Sequence, residues 1–569
     1  MLETELHPKS EFWFSDVEEP KIVTDASTVN WDDETDLIVV GLGGGGIAAA
    51  LESLDQGHSV IGLDKTSGGG ATARSGGVFY AGGGTSIQKE AGIEDSIDNM
   101  YNYLKQEVGD VVSDTTLRKF CEDSPGNTQW LIDNGVKFNS TYYPKKTSYP
   151  DAGHYLYHSD NSLVPSYMEQ AYPAARGHRG FEEGPFKPIG VGGTIFYPLK
   201  KAAQAKGLKI YQQTEVRSLV IDANNSVCGV KCLMLPGGSI REKYKKLISR
   251  GETLQMILPP TYPGASFLRA WGAYFINKAN KIARQYQEIK FLRAKKGVCI
   301  SAGGFIFNRE MIDHYAPKYS QGMPLGTACD DGSGIRLGQS IGAKTSLMNR
   351  VTAWRFLNPP RSFAKGIVVN KQGHRFTNEM VYGATLGDAM CEDQNGKAYL
   401  IINQTLLNAA KKEASKSLPF QRDAARMMIY FGSKKSKDLK VIAKKYNIDS
   451  RGLEESIQKY NECYRKNSSC EFGKAHKDMA LLEGTFIAMD ISIDAKIAPL
   501  PTLTLGGLVV NEDDGSVVGT DGRSIKGLYA AGRSAVGICS NIYVSGLSVA
   551  DCIFSGRRIG KNLGVYKDE

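Results

Sequence analysis

The stretch of sequence that decides the fold is residues 36–65, DLIVVGLGGGGIAAALESLDQGHSVIGLDK. Residues 37–40 are apolar and predict a buried parallel strand, and residues 47–55 are Ala-rich and predict a helix that follows the glycines. Residues 59–63 predict a second strand, which ends at Asp64. A strand, a glycine turn, a helix and a strand in this order are typical of a unit that binds the pyrophosphate of a dinucleotide.

The glycines of this unit have separate tasks. Gly41 makes the tight turn, Gly43 lets the backbone approach the pyrophosphate, and Gly46 lets the helix pack on the strand. The free N–H groups at the helix N-terminus then attract the phosphates. Asp64 follows at the end of the second strand, where a carboxylate accepts a hydrogen bond from a ribose hydroxyl. The sequence therefore predicts a dinucleotide site.

The identity of the dinucleotide is indicated by a second loop of small residues. Residues 67–77 read SGGGATARSGG, which suits the backbone contacts that a bulky cofactor needs. This favours FAD over NAD, and the alternative is that residues 68–84 form only a flexible linker. Residues 326–338, GTACDDGSGIRLG, place acids and glycines before a helical stretch and suggest another loop that contacts the cofactor.

Size and composition are ordinary for a globular enzyme of several domains. The chain has 569 residues, of which 41% are hydrophobic and 23% are charged. No secretory signal is visible in the first 30 residues, and no apolar run of about 18 residues predicts a transmembrane helix. The ten cysteines lack the spacing of metal or haem ligands, so we expect reduced thiols, no metal site and a cytoplasmic location.

Positive charge is concentrated in one segment. Residues 241–296 contain thirteen Lys and Arg and three Glu, whereas the whole chain has a net charge of +8. Because the excess belongs to one segment, it does not indicate a nucleic-acid partner. Aromatic and aliphatic residues within 240–287, framed by basic ones, suit the surface of an anionic bilayer. The open alternatives are a contact between subunits or a solvated cover.

The chain divides into four parts: an N-terminal extension (1–34), a first part of the FAD-binding domain (35–345, with the basic aromatic insertion 240–287), an inserted substrate and catalytic domain (346–485), and a second part of the FAD-binding domain (486–569). The basic insertion lies between two predicted strands, as though spliced into a hairpin. Ser96 and Ser113 are predicted helix N-caps. The Tyr-rich residues 141–179 form a long irregular stretch, which either has a binding role or is a structural cover.

Several motifs place the chain near a known superfamily. They are VVGLGGGGIAAA, GGGATARSGG, SAGGF (301–305), GHRFTNE (373–379), and TLGGLVVNEDDGSVV with GLYAAGR near the C-terminus. In these motifs the chain resembles the FAD-dependent oxidoreductases of the fumarate reductase and succinate dehydrogenase flavoprotein superfamily over about residues 36–560. The resemblance implies an α/β fold in which an FAD-binding, Rossmann-like domain of the glutathione reductase type carries an inserted α+β substrate domain. It also implies an active site that faces the inserted domain.

The motifs and the resemblance together give a set of expected FAD contacts. These residues are Gly41, Gly43, Gly44, Gly46, Asp64, Lys65, Thr72, Ser75, Gly76, Gly77, Val216, Ala302, Gly303, Asp331, Gly532, Arg533, Leu547 and Ser548.

The C-terminal stretch indicates which group within this superfamily the chain resembles most. Residues 540–558, SNIYVSGLSVADCIFSGRR, look most like the 3-ketosteroid Δ4-(5α)-dehydrogenases, which carry Tyr-x-Ser just before the last helix. The resemblance implies that Tyr543 is the catalytic base and Ser545 its proton relay, with Tyr382 as a further tyrosine from the inserted domain. The implied reaction introduces or reduces the C4–C5 double bond of a 3-ketosteroid, with a hydride passing between C5 and flavin N5.

A tyrosine is a poor base at its ordinary pKa of about 10. The position of Tyr543 before a helix N-terminus would stabilise the phenolate, and Ser545 would carry the proton outward. Backbone N–H groups at Gly506 and Gly507 are expected to hold the substrate ketone oxygen as charge grows on it. The alternatives are that Tyr543 and Tyr382 are buried packing residues and that Ser545 is only a helix cap.

Other functions remain open at this point. A Δ1-dehydrogenase and a fumarate reductase-like enzyme with Arg375 as proton donor are the enzymatic alternatives, and a membrane-docked FAD-binding partner without turnover is the third. Because no second complete dinucleotide fingerprint is present, the expected electron acceptor is a quinone or an electron-transfer protein. The expected partners are otherwise a steroid substrate and, through residues 240–287, the cytoplasmic membrane surface.

Overall fold

The computed structural model describes residues 13–151, 153–181, 192–256, 265–417 and 419–565. Its main sheet has nine strands, and five of them form a parallel core. In spatial order the five are Ser524–Ala530, Glu288–Ile300, Asp33–Val40, Val60–Asp64 and Lys209–Gln212. Leu37, Ile38 and Val39 are fully buried, as expected for a strand that is covered on both faces.

The long strand Glu288–Ile300 divides the sheet. Its last residues pair with strands on both sides, whereas its first half pairs antiparallel with Val227–Met234. From there the sheet continues through Thr214–Ile221 to Lys21–Ile22. The predicted N-terminal extension therefore adds a short edge strand, and its part before Trp13 lies outside the described residues. A further strand, Ser516–Val518, pairs with Ser524–Ala530.

The predicted dinucleotide unit is present with small changes at its ends. The helix spans Gly44–Asp55, so it begins inside the glycine run. It packs between the sheet and the C-terminal helix Leu547–Asn562. A Cβ atom at Gly556 would lie 2.4 Å from the carbonyl oxygen of Gly45, so the two helices are in backbone contact there.

The inserted domain is built on a second, antiparallel sheet. Its strands, in spatial order, are Ile367–Val369, Tyr399–Asn403, Phe486–Asp490 and Ser433–Ser436. Phe486–Asp490 follows the predicted domain boundary at residue 485, so this sheet extends beyond that boundary. Its apolar sequence, FIAMD, resembles the strands of the FAD-binding domain, and composition alone does not separate the two.

The basic insertion forms a helical hairpin, made of Ser239–Met256 and Ala265–Tyr286. The two helices pack on each other. The hairpin connects Val227–Met234 to Glu288–Ile300, which are antiparallel neighbours. Its position between the two strands of a β-hairpin is therefore as predicted. Among the described residues, none of the helices combines the length and the hydrophobicity that a membrane-spanning segment needs.

The remaining elements support these two units. Ser96 accepts a hydrogen bond from Asn99 N and Ser113 one from Thr116 N, so both predicted N-caps are confirmed. The other α-helices are Gly70–Arg74, Ser86–Glu90, Ile97–Val108, Asp114–Asp133, Pro165–Met168, Gly193–Ala205, Arg309–Tyr315, Ser333–Gln339, Arg361–Ala364, Gly383–Asp393, Gln404–Ala414, Pro419–Tyr430, Leu439–Tyr446 and Ser450–Arg465. The other strands are Val78–Tyr80, Tyr142–Tyr143, Leu156–Tyr157, Gly177–Arg179, Met323–Pro324, Thr345–Ser346, Val351–Ala353, Pro501–Thr504 and Gly507–Leu508.

The contact between the two helices makes a stability prediction. We expect Gly556→Ala to destabilise the protein by about 1–3 kcal/mol, because the added methyl group overpacks the interface with Gly45. Gly126→Ala is the matched control. Gly126 also lies inside a helix, Asp114–Asp133, but its added Cβ meets nothing within 4 Å, so alanine should stabilise by about 0.5–1 kcal/mol. Thermal unfolding followed by circular dichroism measures both changes. Equal melting temperatures for the two variants would contradict the prediction.

Candidate functional site

A cavity of about 1280 Å³ lies between the glycine turn and the inserted domain. Its lining combines backbone of the glycine turn with the side chains of Trp354, Phe356 and Tyr382. Binding sites for single small molecules usually occupy roughly 300–1,000 Å³. The volume therefore suits a dinucleotide together with a second ligand.

The glycine turn fits the pyrophosphate of FAD. Gly41 has a φ of +92°, and a Cβ atom there would lie 2.6 Å from Ala302 Cα. A Cβ at Gly44 would lie 2.8 Å from Thr72 Oγ1, which accepts a hydrogen bond from Gly44 N at 3.0 Å. Gly43 caps the helix without a side chain, so the helix N-terminus is left open toward the cavity. Such an N-terminus attracts phosphate groups.

Asp64 and Lys65 link the turn to neighbouring loops. Asp64 accepts hydrogen bonds from Leu42 N at 3.0 Å and from Thr66 N at 2.7 Å. Lys65 forms ion pairs with Asp331 at 2.9 Å and Glu215 at 3.2 Å. Burial opposes the charge on Lys65, but these two carboxylates outweigh it and raise the pKa of the lysine above its ordinary value.

A second acid, Asp330, was missed by the sequence prediction. Its carboxylate lies 2.6 Å from Arg533 Nη2 and accepts hydrogen bonds from Thr327 N at 2.8 Å and Gly304 N at 3.3 Å. Both Asp330 and Arg533 line the cavity. Arg533 Nη1 is buried and has no hydrogen-bond partner within the described residues, which suits a donor to a bound cofactor. The motif CDDG contains both acids, and the sequence did not indicate which of them faces the cavity.

Most of the predicted FAD contacts line the cavity: Gly41, Gly43, Gly44, Asp64, Lys65, Thr72, Ser75, Gly76, Val216, Ala302, Gly303, Gly532, Arg533 and Ser548. The other four are not among its lining residues. Asp331 pairs with Lys65, and Leu547 is fully buried in the packing of the C-terminal helix. Gly46 packs against Gly41, and Gly77 accepts a hydrogen bond from Gly180 N at 2.8 Å. These four residues therefore contact or adjoin residues of the cavity wall without lining the cavity themselves.

The predicted catalytic residues lie close together. Tyr543 and Tyr382 line the cavity and belong to one aromatic cluster with Trp354 and Phe356. The ring centroids of Tyr543 and Trp354 are 4.8 Å apart. Ser545 is buried behind this cluster, and its side chain acts against the rise in the pKa of Tyr382 that burial causes.

Two further tyrosines reach the same serine. The hydroxyl oxygens of Tyr157 and Ser545 are 3.4 Å apart, and the Ser545 side chain also acts against the rise in the pKa of Tyr149 that burial causes. Both tyrosines come from the Tyr-rich stretch 141–179, for which the sequence predicts either a binding role or a structural cover. The sequence does not single out Tyr149 or Tyr157, because it shows only that this irregular stretch contains many tyrosines.

The phenols of this cluster are neutral at ordinary pH. Burial raises the pKa of Tyr543 well above its usual value, and the nearby Cys539 and Tyr149 add to the rise. A hydrogen bond from the backbone N–H of Gly546 acts in the opposite direction. Gly546 is the N-cap of the C-terminal helix, so the predicted helix N-terminus does lie at Tyr543.

Tyr382 is positioned by a buried amide. Its backbone N–H donates to Asn161 Oδ1 at 2.5 Å, and Asn161 Nδ2 donates to Glu107 Oε1 at 2.8 Å. Burial raises the pKa of Glu107 to about 7. Asn161 therefore joins Tyr382, a cavity-wall residue of the inserted domain, to the FAD-binding domain.

Gly506 and Gly507 do not occupy the position expected for an oxyanion site. Neither is among the residues that line the cavity. A Cβ at Gly506 would lie 2.0 Å from the carbonyl oxygen of Leu347, and one at Gly507 would lie 2.6 Å from that of Ser534. Close packing of the backbone explains these glycines, and the prediction that they hold the substrate ketone is not supported.

Arg375, the residue considered as a fumarate reductase-like proton donor, is also outside the cavity lining. Its guanidinium forms a bidentate ion pair with Glu379, with distances of 2.9 and 2.8 Å. Because both partners are buried, this pair is part of the inserted domain's interior.

Comparisons with known proteins agree with this geometry. The model of the FAD binding domain family matches residues 36–546. The 3-oxo-5-alpha-steroid 4-dehydrogenase of Comamonas testosteroni is 38% identical over 526 residues, which cover 90% of this chain and 94% of that protein. The chain belongs to the FAD-dependent 3-ketosteroid dehydrogenase family.

Two further proteins to which the chain is similar are also named as steroid dehydrogenases. The crystal structure of 3-ketosteroid-delta4-(5alpha)-dehydrogenase from Rhodococcus jostii RHA1, in complex with 4-androstene-3,17-dione, superposes with a TM-score of 0.79 at 26% identity, covering 95% of this chain and 99% of that one. The 3-oxosteroid 1-dehydrogenase of Mycolicibacterium smegmatis is 24% identical over 556 residues, covering 90% of this chain and 93% of that one. The predicted family resemblance, α/β fold class and FAD cofactor are thus confirmed.

The ion pair at the cavity makes a prediction for cofactor retention. We expect Asp330→Ala to release FAD about tenfold to hundredfold faster, because it leaves Arg533 and two backbone N–H groups without their acceptor. Flavin fluorescence after dilution measures the release rate. Asp494→Ala is the matched control, since Asp494 pairs with Lys397 at the surface, where an ion pair contributes little. Equal release from both variants would contradict the assignment.

Proposed function

We propose that this flavoprotein introduces the C4–C5 double bond of a saturated 3-ketosteroid. The observation that carries the proposal is that Tyr543 and Tyr382 lie together in one wall of the cavity, with Ser545 buried behind them. The Comamonas relative, which is similar over almost its whole length, supports the same choice of bond by its name. The Rhodococcus structure contains 4-androstene-3,17-dione, which supports a steroid nucleus as the ligand class.

The walls of the cavity suit a flat apolar ligand. Trp354 and Phe356 lie nearly parallel, with ring planes 11° apart. Met427 and Leu503 add flexible and branched apolar surface to the lining. A fused-ring ligand would bury its faces against these side chains, and aromatic rings supply much of the contact energy in such sites.

The reaction removes a proton from C4 and a hydride from C5. The C4 proton is acidic because the adjacent ketone delocalises the electron pair that remains. FAD, which the glycine turn and Arg533 would hold in the cavity, would supply the two-electron oxidant for the C5 hydride. The protein must therefore supply a base at C4, which we assign to Tyr543.

Tyr543 needs a route for its own proton because it starts as a neutral phenol. As it takes the proton from C4, it gives its phenolic proton to the neighbouring hydroxyls of Tyr382 and Ser545, and each hydroxyl that receives a proton passes its own onward. One proton then leaves through Tyr149, which is half-buried and lines the cavity, to solvent water. The 3.4 Å distance between the Tyr157 and Ser545 hydroxyls, and the effect of Ser545 on the pKa of Tyr149 and of Tyr382, support Ser545 as the centre of this relay. The N–H of Gly546 and the N-terminus of the C-terminal helix stabilise negative charge that develops on the Tyr543 oxygen.

The base assignment predicts the behaviour of Tyr543→Phe. We expect the rate of flavin bleaching, after anaerobic addition of a saturated 5α-3-ketosteroid, to fall by about 10²–10⁴-fold with FAD still bound. Stopped-flow absorbance measures this rate, and chromatography identifies the steroid product.

Tyr446→Phe is the matched control for this experiment. The Tyr446 hydroxyl donates to the Ala488 carbonyl at 3.2 Å within the inserted domain, and its loss should leave the rate nearly unchanged. Normal bleaching by Tyr543→Phe would refute the base assignment. A product with a C1–C2 double bond from the unaltered protein would refute the proposed bond and favour a Δ1-dehydrogenase.

We further propose a quinone or an electron-transfer protein as the oxidant that restores FAD. The chain carries one complete dinucleotide fingerprint, at residues 41–46, and the FAD site accounts for it. After reduction by steroid, we expect a water-soluble quinone to reoxidise the flavin rapidly and NAD⁺ or NADP⁺ to leave it reduced. Rapid reoxidation by NAD⁺ would overturn this assignment, and recovery of flavin absorbance is the measurement.

A further inference from the structure

The second helix of the helical hairpin carries an exposed row of aromatic side chains. Phe267, Trp271 and Tyr274 are 66%, 50% and 55% exposed. Their spacing of four and three residues puts them on one helix face, and the ring centroids of Phe267 and Trp271 are 5.8 Å apart. We call these three residues the aromatic stripe.

The stripe is surrounded by positive charge. Exposed basic residues on the two helices are Lys243, Lys246, Arg250, Arg269, Lys278, Lys281 and Arg284. The Arg250 guanidinium lies 4.5 Å from the ring centroid of Phe275, and Lys278 Nζ lies 5.9 Å from that of Tyr274. Aromatic rings flanked by Lys and Arg are typical of helices that lie in the interface of an anionic bilayer.

We propose that the helical hairpin is a docking surface for an anionic lipid bilayer. The aromatic stripe enters the headgroup region, and the basic side chains contact the anionic headgroups. A second copy of the chain is a poorer occupant, because it would bring the same positive charges face to face. The bilayer neutralises them instead.

The surface also adjoins the cavity. Arg269, which lies between Phe267 and Trp271 in the helix, is one of the residues that line the cavity. A ligand that leaves the bilayer at the hairpin would therefore meet the cavity directly. This part of the inference rests on the proposed function, because a saturated 3-ketosteroid is apolar enough to partition into membranes. The docking itself does not depend on the substrate.

The test is sedimentation of the FAD-loaded protein with lipid vesicles. We expect binding to vesicles that contain phosphatidylglycerol, much weaker binding to phosphatidylcholine alone, and loss of binding at high salt. The variant with Phe267→Ser, Trp271→Ser and Tyr274→Ser, and the variant with Lys278→Glu and Lys281→Glu, should each bind at least about tenfold more weakly. Flavin content and circular dichroism establish that the variants are folded.

Matched controls come from other surfaces. Tyr172 is 48% exposed, and Lys444 and Lys445 are exposed at the end of an inserted-domain helix. Tyr172→Ser and the pair Lys444→Glu and Lys445→Glu should bind vesicles like the unaltered protein. No binding by the unaltered protein, or equal binding by all variants, would overturn the proposal.

Size-exclusion chromatography at two protein concentrations tests the alternative that a second copy of the chain binds to the hairpin. Concentration-dependent self-association that disappears in the aromatic variant, without vesicle binding, would overturn the proposal in favour of an interface between copies. Bleaching of the flavin by steroid in detergent solution is measured separately, so failure of docking and failure of the proposed reaction remain distinguishable.

Discussion

The backbone contact between Gly41 and Ala302 is the constraint on which the site depends. Strands Asp33–Val40 and Glu288–Ile300 are parallel neighbours, so the loops that follow them leave the sheet at the same edge. Ser301 Oγ donates to the Gly41 carbonyl at 2.7 Å, and no side chain fits between the loops. This close approach places the N-terminus of the dinucleotide helix beside the loop that carries Gly303, and both face the cavity.

The C-terminal part of the chain returns to this sheet and contributes further residues to the site. Strand Ser524–Ala530 pairs with the other side of Glu288–Ile300, so the following residues, including Arg533 and Tyr543, reach the same edge. Ligands of open parallel sheets bind at the carboxyl ends of their strands. Tyr382 approaches from the inserted domain and is tied to the first domain through Asn161. The cluster that contains Tyr543 and Tyr382 is thus built from segments that are far apart in sequence.

Local signals made the dinucleotide unit predictable from the sequence. Strand, turn and helix are encoded within thirty residues by glycine spacing and apolar runs, and the family motifs extended the prediction to the fold class and to FAD. Long-range packing was not encoded in this way. The sequence CDDG gave no sign that Asp330 rather than Asp331 faces the cavity, and Gly506 and Gly507 are small because of Leu347 and Ser534, which only the folded chain brings near. Tyr149 and Tyr157 could not be predicted either, because only the folded chain brings their loop next to Ser545.

Burial explains why hydroxyl groups rather than charged groups would serve the proposed proton transfer. An isolated charge inside an apolar cavity is costly, and the raised pKa values of Tyr382 and Tyr543 express that cost. A row of phenols and one serine can pass a proton onward while each member stays neutral before and after the transfer. In the proposed reaction, negative charge would develop only transiently on Tyr543 and on the substrate ketone. The backbone N–H of Gly546 acts to lower the pKa of Tyr543, so its dipole lies where the proposed base would act.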